Sequence, residues 1–234
     1  MKKILFAVVV ILCSLLKSAK SQNLVPNSSF ENFSQCPHIG NKIYYATGWF
    51  QPNKYPGGFS VNQSSSTDYY SSCDTGVYVS VPNNGMGFQP AKTGNAYIGI
   101  VTYSYFFNGN AGREYAEIKL SQELIANKKY TLKYFASMAN ESRYSITKFD
   151  AYLSNDSLLY SSTYLLNINV IPQFQYNSRV DDTLTWVEIT GNYTAVGGER
   201  FLTIGNFHDG AFCDTVRTLI TPQMNCCYAY YYID

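Results

Sequence analysis

Two histidines, His38 and His208, are the whole imidazole content of the chain. Neither sits in a G-x-S-x-G, H-E-x-x-H or phosphate-loop pattern, the local signatures of a serine hydrolase, a zinc peptidase or a nucleotide site. His208 is followed by Asp209. Neighbours on a strand point to opposite faces, so that adjacency does not make an acid–base pair. A glycosidase needs two carboxylates about 5–10 Å apart across a cleft. Asp68, Asp74, Glu114 and Glu141 are available, and solvated surface charge is the simpler reading of each. Serine is abundant, but nothing in the local sequence marks one as a nucleophile. The chain is therefore read as non-enzymatic, with a secreted carbohydrate-active hydrolase or esterase as the third-ranked reading.

Aromatic rings and amides suit another chemistry. The chain has 22 Tyr, 14 Phe and 2 Trp. Amphipathic rings stack on the apolar faces of sugars at low entropic cost, while amides and carboxylates bond the hydroxyls. Trp49-Phe50, Tyr69-Tyr70 and the Asn-rich segments supply both kinds of group. A lone Trp is more often core than platform, which applies to Trp49 and Trp186. Tyr228, Tyr230, Tyr231 and Tyr232 alternate along one segment, so about half must face inward. Tyr69 and Tyr70 fall in a polar stretch and are expected to be exposed. Arg113 follows a Gly- and Asn-containing segment; its guanidinium fork matches a sugar hydroxyl or carboxylate. The plainer alternative is a salt bridge to Glu114 or Glu141. Trp49, Asp68, Tyr69, Tyr70 and Arg113 are thus expected near any ligand-binding surface.

Residues 1–21 begin with Lys2-Lys3, continue through an apolar run over 4–16, and end Ser18-Ala19-Lys20-Ser21. This is a signal peptide pattern, with cleavage expected before Gln22, and thirteen residues are too few to span a bilayer. An exported chain is expected, secreted or held at the outer surface of a bacterium. The segment holds four lysines and no acid. Residues 22–234 therefore carry 13 basic and 16 acidic residues, about −3. That balance supplies no stripe for nucleic acid and no polybasic patch for anionic lipid. Export leaves Cys36, Cys73, Cys213, Cys226 and Cys227 in an oxidising compartment, where disulfides are the default. Cys36–Cys73 is the natural first pair, and Cys213 with Cys226 or Cys227 the second; the odd count leaves one thiol over. Zinc is disfavoured, because paired C-x2-C spacing is missing and His38 lies near a single Cys.

These residues must be positioned by strands. Period-two runs lie over 96–103, 114–120, 129–138, 149–153, 184–193, 200–207 and 228–233, separated by Gly, Pro, Asn and Ser. No 3.6-residue stripe persists over three turns, and 120–126 reads as a connector. Segments 64–74, 83–94 and 167–182 read as long loops. Many short strands without intervening helices predict an all-β sandwich or barrel over residues 22–234.

Two ends of the chain resemble a known class. Asn23–Glu31, NLVPNSSFE, is similar to the opening strand of galactose-binding-like jelly-roll modules, with Ser28 where a Gly is usual. Tyr230–Asp234, YYYID, resembles their closing strand, which usually runs further; here the last strand is expected to be cut short. Cys36-Pro37, Gly48-Trp49, Asp68-Tyr69, Val81-Pro82-Asn83, Gly94–Tyr97, Arg113–Tyr115, Gly197–Glu199 and Thr203–Phe207 fall in an order that resembles secreted surface proteins of gliding bacteria. In that family the module often precedes an outer-membrane-protein-A-type or type IX sorting domain. The resemblance implies a jelly-roll β-sandwich whose opening Glu and closing Asp hold a structural Ca²⁺, here Glu31 and Asp234. Calcium takes oxygen ligands, so the chemistry is coherent. The reading overall is a non-catalytic module binding a glycan or other cell-surface polymer. A structural or adhesive protein with a protein partner is the alternative.

Overall fold

Strands that alternate apolar and polar side chains must bury one face, and two sheets stacked face to face achieve it. The computed structural model describes residues 22–53, 66–105, 112–158, 171–210, 213–218 and 227–234. The expected leader, residues 1–21, lies outside them, as does Cys226. Fourteen strands are assigned: β1 Trp49–Phe50, β2 Asp68–Ser71, β3 Asn83–Asn84, β4 Gly87–Phe88, β5 Ala96–Ser104, β6 Ala116–Lys119, β7 Lys129–Met138, β8 Tyr144–Ile146, β9 Phe149–Ser154, β10 Phe174–Tyr176, β11 Val187–Thr194, β12 Phe201–Gly205, β13 Thr215–Arg217 and β14 Tyr228–Ile233. A short 3-10 turn covers Ile43–Tyr45.

The first sheet has the order β1-β6-β12-β9-β10 and the second β11-β7-β14-β5-β2. Every pairing within them is antiparallel. The chain crosses between sheets from β5 to β6 to β7 and again from β11 to β12 to β14, which gives a jelly-roll β-sandwich. β14 is central in its sheet, paired with β5 on one side and β7 on the other. Its pairing runs on to Asp234, whose main chain exchanges two hydrogen bonds with Phe135.

Alternation assigns the faces. Ile98 and Ile100, Ala116 and Ile118, Ala136 and Met138, Ala151 and Leu153, Leu202 and Ile204, and Tyr231 and Ile233 meet between the sheets. Truncating one of the larger members to Ala costs about 2–5 kcal/mol. Tyr231 is admitted because its hydroxyl is satisfied. It accepts the Ile146 N–H at 2.9 Å and donates to the Val180 carbonyl at 2.8 Å.

Tyr230 and Tyr232 take the opposite face of β14. With Tyr70, Tyr97, Val79 and Val101 they form a second, smaller cluster outside the sheet. The β3–β4 hairpin belongs to this layer: Tyr232 donates to the Asn84 side chain at 2.7 Å, and Asn84 donates to the Tyr97 hydroxyl at 3.0 Å. The tyrosine-rich closing strand is thus shared between two apolar layers, which a one-sided strand of that composition would not be.

Seven predicted strands match β5, β6, β7, β9, β11, β12 and β14 to within a few residues. The three predicted loops carry β2, the β3–β4 hairpin and β10. Their turn residues mask strands of two to four residues that pairing with a neighbour stabilises.

Candidate functional site

The five residues expected at a ligand surface are buried or drawn into internal bonds, in three places. Trp49 lies in the main core against Phe30, ring centroids 4.8 Å apart, and its indole donates to the Asn27 carbonyl at 3.0 Å. Tyr69 also points inward and donates to the Phe30 carbonyl at 2.9 Å. Its neighbour Tyr70 faces the outer cluster, with its hydroxyl 2.8 Å from that of Tyr230. Both are 1% exposed or less. This corrects the expectation of exposed loop tyrosines. β2 pairs with β5, so alternation sends one ring into each apolar layer.

Asp68 shares Tyr70's face. It accepts the Asn41 N–H at 2.6 Å and the hydroxyls of Tyr230 and Tyr70. Burial pushes its carboxyl up, against the pull of those donors. Glu114 lies close enough for the two acids to repel. Burial, then Asp68, carries Glu114 up to about 8.

Arg113 belongs to a third group. It is buried and donates to the Asn206 carbonyl at 3.0 Å, to the His208 carbonyl, and to Cys213 Sγ at 3.4 Å. Asn206 donates to the same sulfur at 3.1 Å. Beside them His208 Nε2 stands 2.9 Å from Asp150 Oδ2, and Asp150 is fully enclosed. Burial holds Asp150 up to about 7 and drives His208 below its ordinary value. His208 thus stands beside a carboxylate brought by β9, although its Nε2 and both Asp150 oxygens make no hydrogen bond of acceptable geometry.

Cys36 and Cys73 form a disulfide, Cα atoms 6.0 Å apart. The expected second bridge, Cys213–Cys227, is not formed. The Cys213 thiol is unbridged and turned towards Arg113 and Asn206 instead.

Glu31 and Asp234 converge on one turn. Glu31 Oε1 accepts the N–H groups of Asn95 at 2.7 Å and Ala96 at 3.0 Å. Asp234 accepts the Thr93 N–H at 2.8 Å and its hydroxyl at 2.9 Å. Burial raises Asp234, and the Glu31 charge adds to that. The donor set is all oxygen, as a hard cation requires. No group of three or more acidic, His or Cys side chains able to hold a metal occurs among the described residues. Backbone carbonyls and water would have to complete any shell.

A cavity remains that none of these predictions named. β10 and β11 are edge strands of opposite sheets and lie against each other along one side of the sandwich. Between them opens a cavity of about 160 Å³. Residues 173–176 form one wall, 189–192 the other, and Leu132 and Tyr134 of β7 the back. Several features are built in. Gln173 binds the Leu153 backbone through both ends of its amide, at 2.8 and 2.9 Å, which fixes the approach to β10. Phe174 packs on Gly191, where a Cβ would come within 2.8 Å of the ring. Thr131 donates to Asn192 Oδ1 at 2.8 Å across the exposed face of the β7–β11 pair. Tyr134 is 6% exposed, yet its hydroxyl has no hydrogen-bond partner. A buried hydroxyl in that state is costly, and such groups call for an explanation.

The sequence hid this site for a physical reason. Gln173-Phe174-Gln175-Tyr176 alternates amide and ring, a strand signal, but it lies in 167–182, which reads as a loop. Tyr134 looks like one more inward residue of β7, and only the neighbouring edge strands decide whether its hydroxyl finds a partner.

No protein-family model and no curated protein matches the chain. Among solved structures, similarity is found to a Stig cyclase from Fischerella sp. TAU, 13% identical over 90% of this chain and 92% of that one, TM-score 0.47. The K2 cleaved adhesin domain of Lys-gingipain is 10% identical over 88% and 94%, TM-score 0.43. The CBM22-1 xylan-binding domain of Paenibacillus barcinonensis Xyn10C is 12% identical over 85% and 94%, TM-score 0.38. The assignment of a jelly-roll β-sandwich rests on the strand order and pairing described above.

Proposed function

We propose that this chain is a non-catalytic binding module of an exported protein, and that its ligand is a glycan held in the cavity between β10 and β11. The observation that carries the reading is the lining: the Phe174 and Tyr176 rings with the polar residues Gln175, Thr190 and Asn192 around a space the size of one ring. Glycan sites combine apolar area with a few placed hydrogen-bonding groups, and the pocket offers both. Export is supported by the Cys36–Cys73 disulfide, which is favoured in an oxidising compartment, and by the leader-like residues 1–21. The test is a glycan array on the oxidised protein. Selective binding that Tyr176→Ala and Asn192→Ala abolish supports the reading. Binding that survives both substitutions places the ligand elsewhere and contradicts it.

The same reading assigns Glu31 and Asp234 as carboxylate ligands of a structural Ca²⁺ at the turn leading into β5. Two acids gripping one turn supports the assignment. A melting temperature that falls with chelator and returns with Ca²⁺ is the expected result. A melting temperature indifferent to both rules the assignment out.

A further inference from the structure

We infer that the β10–β11 cavity takes the terminal ring of an uncharged oligosaccharide, end-on, rather than an internal stretch or an acidic sugar; this rests on the glycan reading above. Size comes first. A cavity of about 150 Å³ accommodates one benzene-sized ring, and this one measures about 160 Å³. A chain lying along the surface needs a groove that continues past the first ring. Here Phe174 closes against Gly191, so the two edge strands meet.

The distribution of polar groups agrees. At the mouth, Gln175, Thr190 and Asn192 are exposed. At the back, the Tyr134 hydroxyl is buried and unpartnered. A single ring entering from solvent meets the exposed residues at the mouth and the Phe174 and Tyr176 rings beside it, while the Tyr134 hydroxyl stays enclosed behind the wall.

Charge decides the class of sugar. None of the described residues lining the cavity is Asp, Glu, Lys, Arg or His. A carboxylate carried in on a uronic or sialic acid ring would be desolvated with no cation to pair it, which is strongly unfavourable. A neutral hexose or pentose meets no such penalty.

The test uses isothermal titration of the oxidised protein with cello-, xylo-, manno- and β-1,4-galacto-oligosaccharides, disaccharide to hexasaccharide, and the same compounds ending in a uronic acid. The expected result is binding by at least one neutral series. Its Kd changes by less than about threefold from disaccharide to hexasaccharide, and a terminal uronate weakens it by about tenfold or more. A Kd that improves about tenfold or more with chain length, or a uronate bound equally well, overturns end-on neutral recognition. In that case loss of binding in Tyr176→Ala shows that the glycan site itself stands. A folded protein that binds no sugar in any series overturns both readings, and a cooperative melt run beside the titration certifies the fold.

Discussion

Tyr134→Phe is the perturbation with the least ordinary outcome. Replacing a buried tyrosine by phenylalanine usually removes a hydrogen bond and costs about 0.5–1.5 kcal/mol. Tyr134 is different, because its hydroxyl is enclosed and unpartnered. Burial, with the charges of Asp150 and Tyr176 adding to it, also holds that hydroxyl firmly protonated. Phenylalanine keeps the ring and its packing and deletes only the atom that bears a desolvation penalty of about 1–3 kcal/mol. The variant is expected to gain stability within that range. At about 2–4 °C per kcal/mol for a domain of this size, the gain is visible in a thermal melt. Ligand affinity is expected to change by less than about twofold, since the deleted hydroxyl has no accessible surface towards the cavity. Calorimetric melting and titration on the same preparation read both quantities. A variant that melts lower than the parent refutes the reasoning on stability, and one that loses sugar binding refutes the placement of the hydroxyl behind the wall.

Other perturbations test separate parts of the account. Gly191→Ala drives a Cβ to within 2.8 Å of Phe174; it should cost about 1–3 kcal/mol by overpacking and abolish binding by displacing the ring, as denaturant titration and calorimetry would show. Replacing both Cys36 and Cys73 by Ser opens a loop with a sequence separation of 37 and should cost about 3–4 kcal/mol; unchanged stability in denaturant would contradict it. Glu114 is held up to about 8 when folded, by burial first and Asp68 next. Its stabilising contribution is therefore full below the unfolded carboxylate range and lost as pH rises through about 8. Stability should fall across that window by up to about 1.4 kcal/mol per pH unit from this group, and Glu114→Gln should flatten the fall; superimposable curves would exclude the assignment.

Strand identity was legible where alternation was long. The ten residues of β7 declare their faces in sequence, because every second side chain is apolar, while the nine of β5 read as a strand through a long apolar run buried on both faces. Short strands were not legible. β2 and β10 contain four and three residues, too few for a period to emerge among Ser, Asn and Gln. The expected exposure of Tyr69 and Tyr70 fails for that reason: they are strand residues whose rings are buried in two apolar layers. The disulfide Cys36–Cys73 followed from compartment and order along the chain. The partner of Cys213 did not, since Arg113 and Asn206 claim its sulfur from positions that no spacing rule connects. His208 and Asp150 meet only because β9 and β12 are neighbours. Glu31 and Asp234 were placed by resemblance, and they do grip one turn. The cavity was beyond reach altogether, because it is a property of two edges from different sheets.

The most direct test of the central claim is to titrate isotopically labelled protein with a neutral disaccharide, selected from the array, and follow backbone amide shifts. The account predicts progressive shifts confined to residues 173–176, 189–192 and the neighbourhood of Tyr134. Shifts centred on the β3–β4 hairpin, on Trp186 or on the Arg113–His208 group, with 173–176 and 189–192 unmoved, would contradict it.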